Sequence, residues 1–124
     1  MTSGINFIRQ FIRMKLTKYH KIISANWKMN GTFALVDEFH QYLSKNYTKL
    51  YDPNILIIIC PPFPFLNFFK SKISKFPNIF IGSQDCSASD NLSMTGDVSV
   101  EIIKDAGCDF VILGHSERRN NYNE

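Results

Sequence analysis

The sequence predicts an α/β domain built on a parallel sheet, and three observations lead to this fold class. Short apolar runs rich in β-branched residues recur about 30 residues apart, the length of one βαβ unit. The four runs cover residues 22–25, 55–59, 79–81 and 110–113. Each run is almost continuously hydrophobic, as expected for parallel strands that are covered on both faces. Helix signals separate the runs, and this alternation indicates crossover helices between parallel strands.

The first two helices are predicted from cap residues and apolar spacing. Thr32 follows Gly31 and can cap a helix, because its hydroxyl can accept a hydrogen bond from the first turn. The apolar stripe of this helix is predicted to be Leu35, Phe39, Tyr42 and Leu43. Pro64 fits the first turn of a second helix. The apolar residues of that helix are predicted to be Leu66, Phe69 and Ile73.

Two more helices are predicted towards the end of the chain. Asp97 is predicted to cap a third helix, and Gly107 to end it in the left-handed conformation. The inward-facing residues of the third helix are predicted to be Val98, Ile102 and Ala106. A fourth helix is predicted to begin near Glu117.

One connection is much longer than the others. Residues 84–96 (QDCSASDNLSMTG) are polar and show no helix or strand period. Long loops in compact α/β domains usually carry function, although a surface insertion is the alternative. No GxGxxG or P-loop motif follows any predicted strand, which excludes the common nucleotide-binding α/β folds.

The composition is that of one folded domain. The chain has 124 residues, of which 44% are hydrophobic and 20% charged, enough apolar material for a core. No run approaches the roughly 18 apolar residues that span a bilayer, so no membrane partner is expected. The cysteines Cys60, Cys86 and Cys108 form no CxxC pair and cannot all pair with one another. This pattern favours a reducing compartment, and we expect a cytoplasmic protein.

The basic charge is concentrated in the leading segment. Residues 1–36 hold six basic groups and no acidic group, whereas the rest of the chain holds eight basic and eleven acidic groups. The acidic body would repel a phosphate backbone, and no reading motif accompanies the basic groups. Nucleic acid is therefore not expected as a partner.

We divide the chain into a basic N-terminal extension, residues 1–20, and a domain, residues 21–124. The side chains of Ile8, Phe11 and Ile12 lie at helical spacing in the extension, as in an amphipathic helix for a membrane surface or for organelle targeting. A poorly ordered extension and a translation start at Met14 are the alternatives. The extension is not rich in serine, which favours the alternatives.

Two residues at strand ends are the candidate chemical groups. Lys28 follows the first apolar run and His115 follows the fourth, and the carboxyl ends of parallel strands share one rim. A lysine can hold an anionic substrate, and an imidazole can donate a hydrogen bond or move a proton. The predicted helix start after His115 disfavours its charged form. Taken singly, both residues also fit ordinary roles, and His20 and His40 receive only such roles.

The motifs around these two residues resemble those of the triosephosphate isomerase family. Residues 25–31 (ANWKMNG) are similar to the first-strand motif of the family, and residues 114–119 (GHSERR) to the fourth-strand motif. Three shorter matches lie between them in family order: 60–62 (CPP), 82–84 (GSQ) and 94–99 (MTGDVS). Together the matches cover residues 21–124.

The resemblance implies the first four βα units of a (β/α)8 TIM barrel, that is, a half-barrel. It also implies interconversion of dihydroxyacetone phosphate and D-glyceraldehyde 3-phosphate through an enediolate, in glycolysis and gluconeogenesis, with no metal or organic cofactor. His115 is implied as the electrophile, whose neutral form is an established feature of this family. Lys28 and Asn26 are implied to bind the substrate. Ser116 and Glu117 are implied as supporting residues, with Glu117 near Lys28.

The resemblance also implies a homodimer. In the family the long third loop reaches across a two-fold axis into the partner subunit, and Gln84 and Thr95 belong to the matching loop. Asp85 stands where the family usually has Asn, and Asp97 where Glu is commoner. These departures leave the details of the interface open.

A complete barrel of this kind needs about 250 residues, and only four βα units are predicted here. The family's general-base glutamate, lid and last phosphate-binding loops have no counterpart in the sequence, and Glu124 matches a structural glutamate. We therefore expect the isolated chain to have negligible isomerase activity.

A half-barrel is expected to leave two strand edges unpaired and one apolar sheet face uncovered. Such a chain could associate with itself, pair with a separate C-terminal half, or be the remnant of a disrupted gene. A non-catalytic module that dimerises through the third loop is the alternative function.

Overall fold

The computed structural model describes residues 17–89 and 91–124, and their fold is a curled half-barrel of four βα units. The strands are β1 (Lys21–Asn26), β2 (Ile55–Cys60), β3 (Ile79–Ser83) and β4 (Phe110–Val111). The helices are α1 (Phe33–Leu50), α2 (Leu66–Ile73), α3 (Val100–Asp105) and α4 (Ser116–Tyr122), and a 3₁₀ turn, Phe63–Phe65, leads into α2. The sheet order is β1-β2-β3-β4, and every pair is parallel. The predicted α/β half-barrel is confirmed.

The register of the strands separates the sheet into two faces. Ile59 on β2 pairs with Ile81 on β3, and both are buried against the helices. The neighbouring positions, Ile58 and Phe80, pair with each other and belong to a second cluster on the other face. Because successive strand residues alternate between faces, this continuous run of apolar residues supplies both the helix-covered core and the inner core of the half-barrel.

The α1 helix begins as predicted, and half of its predicted apolar stripe packs on the core. Thr32 Oγ1 accepts a hydrogen bond from the Leu35 N–H (3.0 Å). Leu43 is buried and Phe39 packs against the same cluster, as predicted, whereas Leu35 and Tyr42 are exposed and Val36 is buried instead. The way the helix packs on the sheet determines which residues are buried, because Val36 and Leu43 both belong to the main core cluster.

The α3 helix begins later than predicted. Its cap is Ser99, whose Oγ accepts a hydrogen bond from the Ile102 N–H (3.3 Å). Asp97 accepts a hydrogen bond from Ser87 Oγ (2.7 Å) within the preceding loop and is not the cap. Consequently Ile103 is buried and Ile102, which was predicted to face inward, is 58% exposed, whereas Ala106 packs on the core as predicted. Val98 precedes the helix and is not part of its inward face.

Other helix predictions are confirmed. The apolar residues predicted for α2, Leu66, Phe69 and Ile73, are all buried. Gly107 follows α3 with φ +93°, the left-handed conformation predicted for it. The α4 helix begins one residue before Glu117.

The two outer strands are only partly covered. No second strand pairs with either β1 or β4 among residues 17–89 and 91–124. Ile22 on β1 is 54% exposed and Leu113, just after β4, is 67% exposed. The middle of the inner face is instead closed by the protein's own side chains, because Leu56, Ile58 and Cys60 are buried. The expected uncovered face is therefore limited to the strand edges.

The leading segment falls mostly outside the described residues. The predicted amphipathic helix, the alternative start at Met14 and most of the extension lie in residues 1–16. Residues before the predicted boundary at 21 already contact the domain: Tyr19 packs on the inner cluster, and the His20 N–H donates to the Asn54 carbonyl (2.8 Å). Among the helices of the described part, none is long and apolar enough to cross a membrane.

Candidate functional site

The turn after β1 holds Lys28 in an unusual backbone conformation. Its φ is +52°, in the left-handed region that residues other than glycine rarely adopt. The Lys28 N–H donates to Asn26 Oδ1 (2.9 Å), and Asn30 closes the turn by donating to the Trp27 carbonyl through both its N–H (3.0 Å) and its Nδ2 (2.9 Å). In this structure the Asn26 side chain therefore binds the backbone of Lys28.

Gln84 fixes the other side of this turn. Its Nε2 donates to the Lys28 carbonyl (2.8 Å) and to the Cys60 carbonyl (2.9 Å). One amide at the end of β3 thus joins the tips of β1 and β2. Gln84 was predicted only as part of the dimer loop, and this contact was not predicted because no local pattern relates residues 56 positions apart.

His115 stands at the tip of β4 as the N-cap of α4. The turn before it is made by Gly114, which has φ +61°. The Nδ1 atom of His115 accepts a hydrogen bond from the Glu117 N–H (3.3 Å). A nitrogen that accepts this bond carries no proton, so in the neutral ring the proton lies on Nε2, which is left as a donor.

Glu117 brings the two strand tips together. It forms an ion pair and a hydrogen bond with Lys28 Nζ through Oε1, and its Oε2 lies 3.4 Å from His115 Nδ1. Lys28 and Glu117 are half exposed and His115 is less so. The hydrogen bond from Lys28 lowers the pKa of Glu117, which keeps this carboxyl ionised at neutral pH. The result is a cation, an anion and an imidazole at one rim.

This arrangement suits an anionic substrate with a carbonyl group. Lys28 offers a positive charge, and the imidazole of His115 offers an N–H donor to an oxygen. No group of three or more potential metal ligands occurs among the residues that the structure describes.

The remaining predicted residues lie on α4 and in the long loop. Ser116 is the first residue of α4 and is exposed, as is Thr95 in the long loop between β3 and α3. Asp85, at the start of that loop, pairs with Arg118 of α4 (Oδ2 to Nε, 2.9 Å). Arg118 also forms a two-pronged contact with Glu124. The hydrogen bond from Arg118 lowers the pKa of Glu124.

The three cysteines are free thiols. Burial raises the pKa of Cys60, and it raises the pKa of Cys108 to about 11. Burial, with the nearby charge of Asp85, raises the pKa of Cys86 as well. Thiols with raised pKa values are poor nucleophiles at neutral pH.

Fold and site together define a class of protein: a parallel α/β barrel-type chain whose polar site lies at the carboxyl ends of its strands. The chain belongs to the triosephosphate isomerase family, whose sequence profile matches residues 21–124.

Individual relatives agree with this assignment. The chain is 40% identical over 102 residues to the triosephosphate isomerase of Taenia solium, covering 82% of this chain and 39% of the relative. It is 42% identical over 102 residues to that of Wolbachia sp. subsp. Brugia malayi (82% and 41%). It is 41% identical over 97 residues to that of Buchnera aphidicola subsp. Acyrthosiphon pisum (78% and 37%). The chain thus spans about two fifths of the length of these relatives.

Proposed function

We propose that residues 21–124 form the part of a triosephosphate isomerase site that binds the substrate and polarises its carbonyl. The reaction is the interconversion of dihydroxyacetone phosphate and D-glyceraldehyde 3-phosphate, a step of glycolysis and gluconeogenesis in the cytoplasm. The single observation that supports this proposal most strongly is the convergence of Lys28 and His115 on Glu117.

Each rim residue has a role in the proposed reaction. Lys28 attracts the phosphate and stabilises the anionic enediolate, and Asn26 contacts the substrate from the same turn. His115 donates its Nε2 proton to the carbonyl oxygen as the enediolate forms. It then takes a proton from the neighbouring oxygen, so that the ring returns to its starting state. A neutral imidazole suits this exchange because its acidity is closer to that of the enediol than the acidity of imidazolium is.

The reaction also needs a base that removes the proton bound to carbon. By family resemblance this base, the lid and the last phosphate-binding loops belong to βα units beyond the four described above. A positioned base contributes about 10²–10⁴-fold to the rate, so we expect negligible turnover from the 124 residues alone. The active form is proposed to be a homodimer in which the loop with Thr95 contacts the partner subunit.

A chimera tests the proposal. Residues 21–124 replace the matching segment of the Taenia solium triosephosphate isomerase, so that the relative supplies the remaining units. We expect the chimera to interconvert the two triose phosphates, and His115→Gln to lower kcat by about 10²–10⁴-fold. The matched control is His40→Gln, because His40 lies on α1 and contacts Ser44 there.

Two results would contradict the proposal. One is a folded, dimeric chimera without activity. The other is a His115→Gln variant as active as the His40→Gln control, since this would show that the imidazole of His115 takes no part in the reaction.

A further inference from the structure

In the connection between β4 and α4, the sheet hydrogen bonds end before His115. The strand has two residues, and its last sheet contact is the hydrogen bond from the Ile112 N–H to the Ser83 carbonyl (2.9 Å). Residues 113–115 then continue without helix or strand, through the left-handed turn at Gly114. Strand pairing alone therefore does not fix where the imidazole stands above the sheet.

Asp85 provides a second anchor from the neighbouring strand tip. Its carboxylate lies 2.9 Å from Nε of Arg118, and the two side chains are 20% and 36% exposed. The N–H of Arg118 donates to the His115 carbonyl (2.8 Å). Because of this hydrogen bond, a displacement of Arg118 would also displace His115.

The same strand tip also holds the lysine. Ser83 Oγ donates to the Asp85 carbonyl, which stiffens the end of β3. Between these two residues, Gln84 binds the Lys28 carbonyl (2.8 Å). Three consecutive residues therefore connect the β1 rim with the β4 rim.

We propose that Asp85 is a positioning residue that acts through Arg118 to set the place of His115 relative to Lys28. This inference rests on the proposed function. Arg118 donates hydrogen bonds to Glu124, which follows it on the same segment, whereas its ion pair with Asp85 ties α4 to the tip of β3. Asparagine at position 85 would remove the charge of this ion pair.

The first measurement is independent of activity. Long-range ¹H–¹⁵N NMR spectra of the 124-residue chain report which ring nitrogen of His115 carries the proton. We expect a single Nε2–H form in the wild type and an averaged or mixed pattern in Asp85→Asn. The control is Asp37→Asn, which removes an ion pair of similar length with Lys72 (2.7 Å) between α1 and α2. Unchanged His115 signals in Asp85→Asn would overturn the proposal.

The second measurement uses the chimera described above. We expect Asp85→Asn to lower kcat roughly tenfold to a hundredfold, because misplacement of a catalytic group by about 1 Å has effects of this size. KM should change less than about twofold, since Lys28 is held by Gln84. A Tm lower than that of Asp37→Asn, with kcat unchanged, would show a purely structural role and overturn the proposal.

Two provisions keep the test decisive. If Asp85→Asn does not fold, Asp85→Ser takes its place. This variant also removes the carboxylate that pairs with Arg118, so the same shift in the His115 signals and the same fall in kcat are expected. If the wild-type chimera is inactive, the proposed function fails, but the NMR comparison still decides whether Asp85 positions His115.

Discussion

Glu117 shows how one residue can organise a site. Its carboxylate lies between Lys28 from the first strand tip and His115 from the fourth, and its own N–H bonds the His115 ring. The three groups come from two sequence segments almost 90 residues apart, so the site exists only when both strands occupy one sheet. The proposed chemistry depends on this convergence.

The lowered pKa of Glu117 predicts a pH-dependent stability difference. A carboxyl whose pKa is depressed by folding stabilises the protein above its ordinary value of 4.5 and loses this contribution as the pH falls through the folded value. We expect Glu117→Gln to be less stable than the wild type at pH 7, with a gap that closes as the pH falls below 4.5. Urea unfolding of the chimera between pH 7 and pH 3 measures the gap.

The control for this experiment is Glu101→Gln, which removes a carboxyl in the first turn of a different helix, α3. A gap between wild type and Glu117→Gln that stays constant over the whole pH range would contradict the ion pair with Lys28.

Local sequence predicted some site residues and missed others for a physical reason. Lys28 and His115 follow apolar runs directly, so the rule that parallel strands share one rim was sufficient to place them together. The Gln84 contact with Lys28 and the Asp85 contact with Arg118 join residues that are 56 and 33 positions apart. Such pairs depend on how the strand tips twist and approach, which composition and spacing do not determine.

At the scale of elements, caps and helix faces differ in how well sequence determines them. Thr32 was identified correctly because the cap interaction is local to four residues. The α3 start was misplaced because Asp97 and Ser99 are both good cap residues, and the Ser87 hydroxyl engages Asp97. The apolar face of α1 was predicted in part: Phe39 and Leu43 pack on the core, but packing buries Val36 and leaves Leu35 exposed.

The glycine that ends α3 gives a test at this scale. A Cβ at Gly107 would lie 2.7 Å from Lys70 Cγ, and φ there is +93°. We expect Gly107→Ala to lower the free energy of unfolding by roughly 1–3 kcal/mol, since it adds backbone strain and displaces a side chain that pairs with Asp109. Urea unfolding of the chimera gives the value.

The matched control is Gly96→Ala. Gly96 has a similar φ of +89°, but nothing lies within 4 Å of the added Cβ. Gly96→Ala should therefore lower the free energy of unfolding only by the cost of backbone strain, about 1 kcal/mol. Equal losses in the two variants would show that the contact with Lys70 does not matter.

At the scale of the whole molecule, the four-strand sheet has apolar edges that no other strand of residues 17–89 and 91–124 covers. Ile22 and Leu113 are exposed at opposite edges, whereas the middle strands are covered on both faces. Open parallel edges with apolar side chains pair readily with other chains. The continuous apolar pattern of β2 and β3 predicted their burial correctly, but it contained no information on which strands would be outermost.

We predict that the isolated 124-residue chain associates with itself through these edges. Replacing both Ile22 and Leu113 with lysine should reduce the largest species seen by light scattering, because buried charge opposes edge pairing. The control is Ile102→Lys, at a position of similar exposure on α3. If Ile102→Lys reduces the association equally, general charge rather than edge pairing is responsible.

The central claim is that two strand tips, one with Lys28 and one with His115, face a single triose phosphate. A crystal structure of the chimera with bound dihydroxyacetone phosphate tests it most directly. We predict Lys28 Nζ and His115 Nε2 within hydrogen-bonding distance, about 3 Å, of the same ligand molecule. A ligand bound at the rim that touches neither of these two atoms, or only one of them, would contradict the claim.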